Sequence, residues 1–179
     1  MNRRTHRLTP LILAAAAGLA VAPAAHAQTQ DWANPVTGNW SDLTKWVALN
    51  VPDTTGENAF IGVPGGYTVY VNGDYSIGGL AIPGTAPGVQ VAVTNGRTLS
   101  VLAIDNSGTI TVGEGGGSGT YLRALSQVSI VGAGAIVLNA SSNLETGAMY
   151  WSNNSGSQGF TNGPLHTIQG SGRIHALLT

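Results

Sequence analysis

Cysteine is absent from this 179-residue chain, and charged side chains make up only 8% of it, against about 25% in an ordinary soluble domain. Without thiols there is no disulfide framework and no thiolate metal site. With 7 Lys+Arg the cations are too few to displace counterions along a phosphate backbone, so nucleic acid is not an expected partner. A disordered chain is excluded as well, because such chains are charged and poor in aliphatics, and 42% of this one is hydrophobic. What is plentiful is glycine, at 26 residues.

Residues 1–27 have the layout of an export signal. Arg3, Arg4 and Arg7 precede an apolar stretch from Leu8 to Ala25, which ends at Ala25-His26-Ala27. Small residues in that A-x-A order are what a signal peptidase accepts. Pro10 and Pro23 interrupt the stretch, which argues against an uncleaved membrane span. Cleavage after Ala27 leaves four basic and eight acidic residues, a net charge of −4, with His166 and His175 as the remaining histidines.

Residues 28–57 read as a polar lead-in. It holds Trp32, Trp40 and Trp46, a cluster that calls for burial as an N-terminal cap; its functional alternative is sugar stacking. From residue 58 to 179 short β-branched runs alternate with Gly, Asn, Asp and Pro turns. The runs are Ala59–Val63, Tyr67–Val71, Ser76–Ile82, Val89–Thr94, Thr98–Ile104, Thr109–Val112, Val128–Val131 and Ala135–Leu138. Their period is two: Val69 and Val71, Val91 and Val93, Leu99 and Val101, Ile110 and Val112 share a face in each run. No run has helical spacing.

The expected fold is all-β. Asn-led turns recur before strands at 72–74, 95–97 and 106–108, which favours a solenoid of parallel strands, a right-handed parallel β-helix. An antiparallel β-sandwich is the alternative. Gly113–Gly119 reads as a loop, 140–165 as a polar excursion, and Thr167–Ile174 as another turn-and-strand unit. No capping element follows it, so the expectation is that the β-helix is truncated at its C-terminal end.

Little here points to catalysis. The eight carboxylates are scattered over turns, where Asp caps backbone N–H groups. Asp74 and Asp105 are the one pair that stacking could bring together. His166 and His175 are on different units and read better as inter-coil or surface residues than as metal ligands. No Gly-x-Ser-x-Gly elbow, phosphate loop or repeated Gly-Gly-x-Gly-x-Asp calcium motif occurs. The sequons at Asn39, Asn139 and Asn153 read as polar turns. No catalytic, cofactor-binding or metal-ligating residue is assigned, and no cofactor is expected.

The order Gly38-Asn39-Trp40-Ser41-Asp42, Lys45-Trp46, Val51-Pro52, Asn58-Ala59-Phe60-Ile61, Tyr67-Thr68-Val69 and Ile77-Gly78-Gly79-Leu80 resembles the opening of secreted bacterial repeat proteins of the autotransporter-passenger and PEP-CTERM surface-protein kind. Thr167–Gly172 is similar to a repeat unit of the same proteins. The resemblance spans most of 32–110 and again 165–174. It implies a right-handed β-helix and says little about activity.

The expected function is therefore an exported, non-enzymatic structural or adhesin-type segment, secreted or at the cell surface. Its partners would be host or cell-surface glycans or proteins. Membrane contact would come only through the signal or a missing C-terminal anchor. The alternative is a polysaccharide-binding or polysaccharide-degrading domain, with Tyr70 or Trp151 as stacking platforms. Edman sequencing of exported material is expected to begin at Gln28. A charged Ala27→Asp change should leave the precursor uncleaved, seen as a larger band on a gel; an N-terminus at Met1 in exported protein contradicts the assignment.

Overall fold

The structure, a computed structural model, describes residues 27–114, 119–140, 148–151, 159–175 and 177–178. The expected export segment lies outside them except for Ala27. The protein is all-β with parallel sheets; a 3-10 turn at Leu43–Lys45 is the only helical element among the described residues. One sheet stacks β2 (Gly38–Asn39), β4 (Thr68–Val71), β6 (Gln90–Thr94), β8 (Thr109–Glu114), β11 (Ala135–Asn139) and β14 (Thr167–Ser171) in that order. The other runs β1 (Gln28–Asp31), β3 (Glu57–Phe60), β5 (Tyr75–Ile82), β7 (Thr98–Asn106), β10 (Val128–Val131), β13 (Gly159–Asn162) and β16 (Leu177–Leu178). From its β7 a branch continues through β9 (Tyr121–Ala124), β12 (Ala148–Trp151) and β15 (Arg173–His175).

The branch gives the later passages of the chain three strands each, as in β8, β9 and β10 or β11, β12 and β13. The nine-residue β7 pairs its first half with β9 and its second with β10. What β5 and β7 do as single long strands, later passages do with two short ones. Every ladder between named strands is parallel. Passage length varies: Thr68 bonds Gln90 22 residues on, whereas Gln127 bonds Thr161 34 residues on. That variation hides the repeat from the sequence.

In-register parallel pairing places like on like. Val69, Val91, Ile110, Ile136 and Ile168 form one column, and Val71, Val93, Val112 and Leu138 a second. On the other side Ala59, Leu80, Ile104 and Ile130 align. Tyr75, Leu99, Leu122, Met149 and Ile174 do the same. All the interior residues expected from the two-residue period are buried. Ala92, read as outward, is buried too: it stands between Tyr70 and Thr111 in register, and a methyl between two larger side chains is overshadowed.

The ladders start earlier and run through more of the chain than the apolar runs suggested. Gln28–Asp31 is the first strand although its inward residue is Gln30, buried and polar. Residues 140–165, read as an excursion, contain β12 and β13. Each contributes one large buried anchor, Met149 and Phe160, too little for periodicity to reveal. The glycine loop at 113–119 falls mostly outside the described residues.

Close approach of neighbouring passages requires glycine, at the turn before β11 and within β14. A Cβ on Gly134 would lie 2.3 Å from the Gly108 carbonyl oxygen, and one on Gly170 2.2 Å from that of Leu138, where φ is also +102°. Backbone cannot retreat as a flexible side chain can. Val91→Ala, which empties part of one column, is expected to cost somewhat less than the ~2–5 kcal/mol of a buried Leu or Ile→Ala. Gly134→Ala should cost more than Val91→Ala, because it separates two strands. Urea melts of the two variants test the order; a Gly134→Ala melt equal to wild type would refute the close approach.

Candidate functional site

Four features outside the regular core carry chemistry: the tryptophan cluster, a polar knot at one corner, and two troughs on the outer faces. Trp32 and Trp46 meet edge to face at 5.1 Å, and Trp40 and Trp46 at 5.0 Å. Each indole N–H donates to a carbonyl: Trp32 to Val36, Trp40 to Pro52 and Trp46 to Trp40. All three rings are at most 1% exposed, so they present no face to a sugar. Together with the antiparallel Trp32–Trp46 bridge, the Val47 N–H to the Asp31 carbonyl and the Ala33 N–H to the Lys45 carbonyl place this segment against the free edge of β1.

Glu57 ties the same region together. It accepts from the Asp53 and Thr54 N–H groups, the Thr54 hydroxyl and the Asn50 amide. Burial raises the carboxyl's pKa, but these four donors outweigh it and hold the group below its ordinary value.

His166 is buried between passages of the chain. Asn106 Oδ1 accepts from the Gly108 N–H, so its Nδ2 is the donor that faces the Ala135 carbonyl and His166 Nε2, each at 3.0 Å. Asn162 Nδ2 donates to the His166 carbonyl at 2.8 Å, which leaves Asn162 Oδ1 to accept from His166 Nδ1 at 3.0 Å. The tautomer follows from these partners: the proton is on Nδ1 and Nε2 accepts. Protonating Nε2 would set two donors against each other. Burial pushes the imidazole below its ordinary 6.5. The ring is a structural link between passages and has no lone pair left for a metal.

The other candidates remain apart. Asp74 accepts from the Thr98 N–H at the start of β7, and Asp105 lies near the other end of that strand, so stacking does not unite them. His175 is exposed on β15. Tyr70 stands half-buried on the outer face of β4, beside Asn39 and Ala92. Trp151 belongs to β12, but its side chain falls outside the described residues, as do Asn153 and the serine of the sequon at Asn139. Asn39 is exposed at the end of β2. Among the described residues no three His, Asp or Glu come together.

The outer faces are concave. A trough of about 690 Å³ crosses β6, β8, β11 and β14, lined by Gln90, Thr109, Thr111, Val137, Thr167 and Gln169 and by no charged residue. Gln90 Nε2 donates to Thr111 Oγ1 at 2.7 Å, which fixes one side. A smaller trough of about 420 Å³ lies across β3, β5 and β7, with Gly79, Ala81 and Ala103 as floor and Phe60, Val131 and Asp105 among its walls. Nothing in the apolar alternation announces either trough; both depend on which small residues the register brings side by side. No family model, no curated protein and no solved structure matches this chain.

The pH dependence of the His166 knot has a definite sign. Its folded pKa lies below the unfolded value, so the unfolded chain binds the extra proton more readily. Its contribution is complete above about pH 6.5 and is lost as pH falls through the folded pKa. Melting temperatures between about pH 7 and about pH 5 should fall for the wild type and fall less for His166→Gln. Equal slopes would place the acid-sensitive group elsewhere.

Proposed function

We propose that this chain is an exported, non-enzymatic structural or adhesin-type segment, built as a right-handed parallel β-helix of the kind found in autotransporter passengers and PEP-CTERM surface proteins. The observation that carries the reading is the pair of parallel sheets between which the chain alternates, with like residues aligned in columns. A stack of coils produces that pattern directly. In this reading the tryptophan cluster is the cap of the first coil, and the layout of residues 1–27 accounts for export. The separation of Asp74 and Asp105 supports a contact role over acid–base catalysis, which needs two carboxylates across one cleft.

A second reading, a polysaccharide-degrading or polysaccharide-binding domain, draws on the uncharged Gln/Thr trough, whose amides and hydroxyls suit sugar hydroxyls. Two measurements separate the readings. Tagged full-length chain in a bacterial host should leave the cytoplasm and lose residues 1–27; retention there removes the exported reading. Purified protein incubated with a panel of polysaccharides should release no reducing ends. Sustained release from any of them would make the protein an enzyme.

A further inference from the structure

The smaller trough holds a row of side chains that no motif in the chain marks. Asp31 of β1, Phe60 of β3, Ala81 of β5, Asp105 of β7 and Val131 of β10 stand in register across four ladders. The residues just before them, Gln30, Ala59, Leu80, Ile104 and Ile130, are buried, so alternation turns the row outward. Asp31 and Asp105 are exposed, and so are Phe60 at 37% and Val131 at 49%. Strands stand about 4.8 Å apart, which separates Asp31 from Asp105, three strands on, by about 14 Å. Ala81 is the small member of the row between them, and it leaves a slot beside Phe60.

The polar groups around the slot are unengaged. Among the described residues neither the Asp31 nor the Asp105 carboxylate forms a hydrogen bond or an ion pair, and the Asn58 amide forms none. Thr29, Asn58, Gly79 and Ala103 make a second outward line beside the row. The Asn58 amide leans over Gly79, where a Cβ would lie 3.1 Å from its Oδ1. Gly79 and Ala103 keep the floor low. No Lys, Arg or His lines the trough, so the charge it presents is negative.

We infer that this trough binds an extended basic peptide of a partner protein, laid across the strands, with the pattern basic–x–apolar–x–basic. Residues four apart in an extended chain are separated by about 13.6 Å, which matches the span from Asp31 to Asp105. One basic side chain then meets each carboxylate, and the residue midway between them enters the slot between Phe60 and Ala81. The peptide backbone passes over the Gly79–Ala103 floor, where Asn58 offers both donors and an acceptor. Charge complementarity sets the sign of the partner. A neutral sugar would leave both carboxylate charges unused, and an acyl chain would set apolar groups against them. The basic residues of 28–179 are Lys45, Arg97, Arg123 and Arg173, no two of them four apart, so a second copy of this region does not supply the pattern. Arg3 and Arg7 have the spacing, but Thr5 stands where the apolar residue is needed. The inference names a partner for the contact role proposed above and rests on that reading.

The test is fluorescence anisotropy of a labelled, end-capped peptide centred on Lys-Thr-Leu-Thr-Lys, titrated with the full chain. Saturable binding at low salt, weakened by added NaCl, is expected. Placing the lysines side by side, as in Lys-Lys-Thr-Leu-Thr, or replacing Leu by Ser should each weaken it, and Glu-Thr-Leu-Thr-Glu should not bind. Asp31→Asn/Asp105→Asn should weaken binding roughly fivefold, the loss expected for two exposed ion pairs. Asp53→Asn, before the opposite end of β3, should leave it unchanged. Ala81→Leu, which fills the slot, should abolish it. If a variant melts early, the peptide series on the unaltered chain decides alone. Absence of saturable binding, equal binding of the side-by-side lysine peptide, or equal loss with Asp53→Asn overturns the inference. Export reads separately: a chain that binds the peptide but stays in the cytoplasm keeps the trough and removes the exported reading, and an exported chain that does not bind does the reverse.

Discussion

Parallel pairing in register is the constraint on which the rest of this protein depends. Each strand takes its hydrogen bonds from the passage before and offers its free edge to the passage after. A shift of one residue would turn an entire column outward. The columns make the shift costly: Val69, Val91, Ile110 and Ile136 occupy one line in four successive strands. With 8% charged residues the chain has few ion pairs to enforce its register. Apolar alignment and backbone bonding do so instead.

A parallel stack has two ends, and an unpaired edge invites further pairing. At β1 the chain closes the edge itself. Trp32, Trp40 and Trp46 bury their rings and satisfy their N–H groups on carbonyls, and Glu57 gathers the turn at Asn50–Thr54. The three-Trp lead-in is thus used for packing rather than recognition. A buried Gln30 in β1, whose Oε1 lacks a partner, lies where the apolar columns have not yet begun.

The corner between the two sheets uses polar groups where the columns use apolar ones. Asn106, Asn162 and His166 satisfy one another and nearby backbone groups between passages of different length. Glycine at 134 lets the backbone of neighbouring corners touch. These features hold the loops close, and the outer faces remain as open ground. One trough is lined by uncharged Gln and Thr side chains and the other is floored by Gly79, Ala81 and Ala103, so the outer faces differ in chemistry.

The sequence by itself determined the all-β character, the strands β3 to β8, β10 and β11, and the inward residues of β4, β6, β7 and β8, because a two-residue period is a local property of the chain. It also marked the tryptophans for burial and left the carboxylates without a partner motif. It did not reveal β1, β9, β12 and β13, short strands whose inward side chains are few, as at Gln30, Leu122, Met149 and Phe160. Nor did it give the register, since passages linked by 22 and by 34 residues stack alike. Only the tertiary structure decided which outward residues stand together. Gln90 and Thr111 are 21 positions apart in the chain, yet the Gln90 amide donates to the Thr111 hydroxyl at 2.7 Å. Neighbourhood across a parallel sheet is set by the length of the intervening turns, which no local pattern of side chains encodes.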